Sequence, residues 1–267
     1  VEVPHIERYG GSHALIFGAT AEAQKLDLLS QQGFATASNW IVEGGFNVID
    51  DGDASAIDFN IGVANETHAS NADIDWSHRV ITDDALIDRS RSRAASRFLR
   101  AIDPDERRAV FMMVDHDIQW RAGELGKMAR QAAREQAIVG GLYACRALKR
   151  GFSSRLSEEG TNFKVGGDKL HKADYVATGF MAGSVMALRR ILACGQRPDA
   201  PPEMQITECI GLDAIDKTFF DFFRPVAVPC TLPGFEGQNE YLSEDWAFAA
   251  RARFAEVPLF ISETPVL

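Results

Sequence analysis

Midway along the chain, the stretch Ala109-Val110-Phe111-Met112-Met113-Val114-Asp115-His116-Asp117 ends six apolar residues in two carboxylates. The apolar run predicts a buried β-strand, and alternation along a strand puts Asp115 and Asp117 on one side at its tip. Carboxylates that close repel each other unless a cation lies between them or one takes a proton. Mg²⁺ or Mn²⁺ suits such a pair, because hard divalent ions accept carboxylate and phosphate oxygens together. The same residues also read as a strand end followed by a solvated, helix-capping pair of acids. A second acidic pair, Glu244-Asp245, follows Ser243 at the start of a predicted helix. Acids there complement the helix dipole, and one of them could equally serve as a general base. Arg89, Arg91, Arg93, Arg97 and Arg100 form a stripe of cations. A guanidinium can steady phosphate oxygens bidentately, or simply solvate a helix face.

Several elements must position these groups. Val1 to Ile6 is β-like, and Ser12 can cap a helix whose apolar face includes Ala14, Leu15, Ala21, Leu26, Leu28 and Leu29, up to Gly33. Residues 34 to 80 hold β-prone pieces broken by Gly44-Gly45 and Asp50 to Asp53. A strand is expected over His78 to Thr82 and a helix over Ala85 to Arg100. The run Ala109 to Val114 reads as a central parallel strand covered on both faces. A helix from about Gly123 to Arg134, a short strand Ala137 to Val139 closed by Gly140-Gly141, and a helix from Glu244 to Ala255 complete the pattern. Alternating strands and helices predict an α/β fold, a Rossmann-type, mostly parallel sheet flanked by helices. Ligands of such sheets bind outside the carboxyl ends of the strands, where Asp115 and Asp117 fall.

With 46% hydrophobic and 25% charged residues, the 267 residues can bury a full core. A formal net charge of −10 argues against coating nucleic acid by phosphate neutralisation. The cysteines at 145, 194, 209 and 230 have no C-x-x-C spacing and read as free thiols of a reducing compartment. The longest apolar stretch, Tyr175 to Leu188, is 14 residues, short of the roughly 20 that span a bilayer. It reads as a buried segment. The expectation is therefore a cytoplasmic protein without a transmembrane segment, with homo-oligomerisation left open.

The order of local motifs carries a resemblance. Ala85-Leu86-Ile87-Asp88-Arg89-Ser90-Arg91-Ser92 with Phe98-Leu99 is similar to an "SLI-x-RARN…FL" helix of GT-A glycosyltransferases resembling family 2. Met113 to Ile118 resembles that branch's "FIDADI" strand, and Val139-Gly140-Gly141-Leu142-Tyr143 its "VGG-x-Y" strand. Past Thr178-Gly179-Phe180-Met181, the segment Tyr241 to Phe248 looks like "YLSEDYAFC-RR". Together these cover about two-thirds of the chain in the family's order.

The resemblance implies a single GT-A-like domain over 1–267, with a nucleotide-sugar half at 1–150 and an irregular acceptor half at 151–267. It implies transfer of a sugar from a nucleoside-diphosphate sugar to an acceptor hydroxyl, assisted by Mn²⁺ or Mg²⁺. The acceptor would be a glycan, a lipid, a protein or a modified nucleic acid. By the same resemblance, Asp115 contacts the ribose or the metal and Asp117 ligates the metal. Asp245 is the catalytic base, with Glu244 as its alternative or an acceptor ligand. Arg89 and Arg91 match the basic positions near phosphate. Pro4 and Tyr9 lie near the nucleoside, Asp83 or Asp84 binds the base (Asp50 to Asp53 competing), and Gly141 and Gly179 approach the sugar. The family's Asn falls at Ser92, and no histidine follows residue 171 to act as a late metal ligand. A non-catalytic sugar-nucleotide or glycan binder and a haloacid-dehalogenase-like phosphotransferase are the alternatives.

Overall fold

A computed structural model describes residues 14–20, 74–81, 86–115, 118, 120–142, 153–158, 163–164, 166–211, 217–230 and 237–265. The expected sites Pro4, Tyr9, Asp83, Asp84 and Asp117, the segment Asp50 to Asp53, and the strand at Val1 to Ile6 lie outside these residues.

Four helices are described: α1 Ile87–Ala101, α2 Glu124–Glu135, α3 Val185–Gly195 and α4 Glu244–Phe254. The strands are β1 Ala14–Thr20, β2 Asp75–Ile81, β3 Val110–Asp115, β4 Ile138–Leu142, β5 Arg155–Leu156 and β6 Leu170–Tyr175. They continue with β7 Phe180–Ser184, β8 Glu208–Ile210, β9 Thr218–Phe220, β10 Val226–Pro229, β11 Asn239–Leu242 and β12 Leu259–Pro265. Eight of them form one sheet in the order β2-β1-β3-β7-β4-β12-β6-β5, while β8-β9 and β10-β11 are separate hairpin pairs.

The α/β class is as expected; the strand directions are not. Within the large sheet only β4 and β12 pair in parallel, and the other neighbours are antiparallel. The expectation of a mostly parallel sheet is thus corrected. It rested on the alternation of strands and helices and on the continuous apolar run of β3, and that run reports burial on both faces but says nothing of how the neighbours run. One consequence of the parallel idea survives. β3, β4 and β12 share a direction, because β7 runs oppositely between β3 and β4. Their carboxyl ends therefore lie along one edge, where β7 begins.

A second correction concerns Ala14 to Thr20, expected within a helix and found as a strand between β2 and β3. Ile16, Phe17 and Thr20 favour an extended backbone, and pairing on both sides satisfies its N–H and C=O groups.

The two faces of the sheet build two cores. Phe111 and Met113 pack with Ala94, Ala95 and Phe98 of α1, Leu188 of α3 and Phe248 of α4. Val110, Met112 and Val114 point the other way, toward Leu125, Met128 and Ala132 of α2. Ser184 closes β7 and caps α3, its hydroxyl accepting from the Ala187 N–H at 3.1 Å. That junction splits the apolar segment from Tyr175 to Leu188 into a strand and a helix start.

Candidate functional site

Three segments far apart in sequence meet at the carboxyl end of β3. Asp115 is the last residue of that strand, its N–H donating to the Gly179 carbonyl at 2.8 Å and its own carbonyl accepting from Ile118 at 3.0 Å. Both backbone ends of this residue are thereby fixed. Arg91 lies on α1 along the stripe of Ala94, Ala95 and Phe98, three, four and seven residues on, which faces the core. A cation on such a stripe needs a buried partner. Its Nη2 donates to both Oδ1 and Oδ2 of Asp115 at 3.1 Å, and its Nη1 donates to Glu244 Oε1 at 3.1 Å. Glu244 opens α4, where its charge also complements the exposed N–H groups of the first turn.

The three side chains differ in exposure in a way that sorts their roles. Arg91 is 4% exposed, Asp115 26% and Glu244 21%. The guanidinium is enclosed, whereas each carboxylate keeps an edge toward solvent. With two carboxylates and one guanidinium, the cluster carries one formal negative charge, which suits hydroxyl donors or cations better than a bare phosphate. Arg91 is thus placed against acids rather than at an open anion site. Arg89, two residues earlier, is exposed.

The metal expectation meets this geometry at Asp115. Both of its oxygens face Arg91, so the carboxylate as placed is balanced by a guanidinium and is not an open ligand. Among the described residues, no group of three or more His, Cys, Asp or Glu side chains surrounds a common point. Asp117, the other implied ligand, lies outside those residues.

Beside Glu244, Asp245 uses Oδ1 locally, accepting from the Ser243 hydroxyl at 2.6 Å and from the Trp246 N–H at 3.0 Å. Trp246 stacks on Tyr175 with ring centroids 3.8 Å apart and planes 8° from parallel. The Arg155 guanidinium lies 5.1 Å from the Trp246 ring centroid, so the indole is held by both an aromatic and a cation. Thr178, directly before Gly179, is fully buried, and its hydroxyl has no partner among the described residues. Gly141 lies inside β4, paired with Ser262, so it is a strand residue rather than a turn. Its neighbour Gly140 is the one that needs to be glycine, because a Cβ there would sit 2.4 Å from Val176 Cγ1. Ser92 accepts from the Phe223 N–H at 3.0 Å and so anchors the segment after β9.

Sequence reasoning missed one buried ionic group on this side of the sheet. Glu263 of β12 accepts from His171 Nε2 at 3.0 Å and from the N–H groups of Lys164 and Lys169 at 3.1 and 3.3 Å. The His171 bond, opposed by burial and helped by the two backbone donors, holds the Glu263 carboxyl below its ordinary range. Lys127 of α2 reaches the same strap, bonding the Gly167 carbonyl and pairing with Asp168 at 2.9 Å. The signal available was Glu263 at an inward position of a strand-like run; its partner, 92 residues away, leaves no local pattern.

A shallow depression lined by Gly195, Arg197, Ile206 and Glu208 shares no residue with the Arg91 cluster. No helix among the described residues is long and apolar enough to cross a membrane. Comparison with known proteins places the chain beside nothing: no family model, no curated protein and no solved structure matches it.

Proposed function

We propose that this chain is a sugar-nucleotide-dependent glycosyltransferase of the GT-A type, working at the carboxyl edge of β3, β4 and β12. One observation carries the reading: Arg91, Asp115 and Glu244, taken from three separate motif segments of the resemblance, converge within hydrogen-bonding distance.

In this reading the solvent edge of Asp115 accepts hydrogen bonds from donor hydroxyls, and Arg91 keeps its carboxylate ionised and oriented. Glu244 does the same for the acceptor. The acceptor oxygen forms a bond to the anomeric carbon as the bond from that carbon to the phosphate oxygen breaks. The nucleoside diphosphate leaves with the electron pair, and Asp245 takes the acceptor's proton. By the resemblance, Asp117 would hold a divalent ion, which would offset charge on the departing diphosphate.

A second reading is a binder without turnover, favoured by Asp245, whose Oδ1 is already engaged as a helix-start acceptor. One experiment separates the readings. A thermal-shift panel of UDP-glucose, UDP-N-acetylglucosamine, GDP-mannose and dTDP-glucose, with and without Mn²⁺, detects any ligand of the native state. Stabilisation together with nucleotide release supports the transferase, and stabilisation without release supports the binder. Failure of every sugar nucleotide to stabilise the protein would count against the transferase and against a sugar-nucleotide binder, leaving only the glycan binder.

A further inference from the structure

We infer that Arg91 is a positioning residue that ties the Asp115 end of β3 to the first turn of α4, so that a change at Asp115 is transmitted to Trp246. Among the described residues, its side chain bonds to these two acids alone. At 4% exposure the guanidinium cannot reach a phosphate in solvent, and its two terminal nitrogens are directed at the two carboxylates. Its Nε is buried without a partner, so among the described residues the guanidinium is held by those two acids.

The guanidinium is a rigid planar fork. A rotation that follows Asp115 must displace Nη1 from Glu244, because both nitrogens belong to one plane. Asp115 cannot absorb the change through its backbone, which is fixed by Gly179 and Ile118. Glu244 is the first residue of α4, and Trp246 stands two residues further in the same turn, stacked on Tyr175. The indole is therefore a built-in reporter of where that turn sits. Under the proposed transferase reading, on which only this consequence rests, a donor engaging Asp115 would set the acceptor-side turn through Arg91. The mechanical link itself does not depend on the reaction.

The test uses the full chain labelled with 5-fluorotryptophan and observed by fluorine NMR. The chain has four tryptophans, and Trp246→Phe identifies the resonance of residue 246. Asp115→Asn should shift that resonance in the otherwise native chain. In an Arg91→Met background the same substitution should shift it no further. Arg91→Lys, which keeps the charge but cannot fork to both acids, should transmit less than half of the native shift. A resonance that stays in place when Asp115 is changed would overturn the inference, as would a shift of equal size with and without Arg91. Should Arg91→Met lose its folded circular dichroism, Arg91→Lys serves as the background, and an undiminished shift there overturns the link. A wild-type chain that binds no sugar nucleotide would sink the transferase reading while leaving this coupling result as measured.

Discussion

At the scale of single residues, the molecule is governed by a few enclosed charges. Replacing Arg91 with Met would leave Asp115 and Glu244 facing each other without their shared cation. Both acids keep a solvent edge, so part of the loss is recovered by hydration, and the cost should be about 1–3 kcal/mol, between the surface and buried extremes. Urea denaturation of Arg91→Met against the native chain measures it. The meeting of the three residues was legible only in part. Their types and motif positions singled them out, but Arg91 read as one of a stripe of cations on a helix face, and the inward placement that it shares with Ala94, Ala95 and Phe98 went unread. A cation's type cannot say which anion it meets, so sequence pointed to phosphate where the fold supplies two carboxylates. Glu263 gives a second prediction. Its carboxyl is held below the ordinary value of 4.5, chiefly by His171, so its contribution is complete above that value and is lost as pH falls through the lower, folded one. Denaturation midpoints taken from about pH 6 down to about pH 3 should therefore fall more steeply for the native chain than for Glu263→Gln. Parallel curves would refute the assignment of His171 and the two backbone donors to the ionised form.

Elements were the most readable level, yet not uniformly. The helices expected over 85–100, 123–134 and 244–255 are found at Ile87–Ala101, Glu124–Glu135 and Glu244–Phe254; the first two carry a one-sided apolar pattern, whereas the third is an alanine-rich run that opens on two acids and is buried along consecutive residues from Ala247 to Ala252. Ala14 to Thr20 was misread because a short apolar run fits either period, and only its pairing with β2 and β3 decides. What holds elements together is less visible still. Arg251 of α4 is 1% exposed and pairs with no carboxylate among the described residues; it donates to the carbonyls of Phe222, Arg224 and, more weakly at 3.4 Å, Glu203. Burial pushes this guanidinium down to about 10, which still leaves it charged near neutrality. It fastens α4 to the segment that follows β9, the same segment that Ser92 of α1 grips through Phe223. Arg251→Ala would strand those buried carbonyls and open a void, costing about 3 kcal/mol or more. Arg251→Lys, retaining one charged donor, should cost less, and thermal unfolding of the two variants should rank them so. In the strap over β12, a Cβ on Gly167 would fall on Glu263 Oε2 and push that carboxylate off its bonds to His171 and the Lys169 N–H. Gly167→Ala should therefore lower the melting temperature by several degrees, and a neutral result would mean that the strap does not close on Glu263.

For the whole molecule, one sheet carries two independent apolar layers, and β3 belongs to both. The alternation of its side chains was legible as a buried strand, but which helix each face meets depends on crossovers that no local pattern encodes. Met112 and Met113 are adjacent and equally buried, yet Met112 packs toward α2 and Met113 toward α1, α3 and α4. Changing either to Ala removes a large buried side chain and should cost about 2–5 kcal/mol, with the spread set by how far each layer can collapse. The costs will not separate the two layers, but local opening will. Hydrogen exchange in Met112→Ala should accelerate first in α2, whereas in Met113→Ala it should accelerate in α1 and α3, because each helix loses the contacts on its own side. The Arg91 cluster lies on the Met113 side, since Asp115 is two residues on and projects to the same face. Sugar-nucleotide stabilisation, if found, should accordingly be weakened by Met113→Ala and far less by Met112→Ala at matched loss of stability. Equal weakening by both would mean that the ligand is not held on the face where Arg91, Asp115 and Glu244 meet.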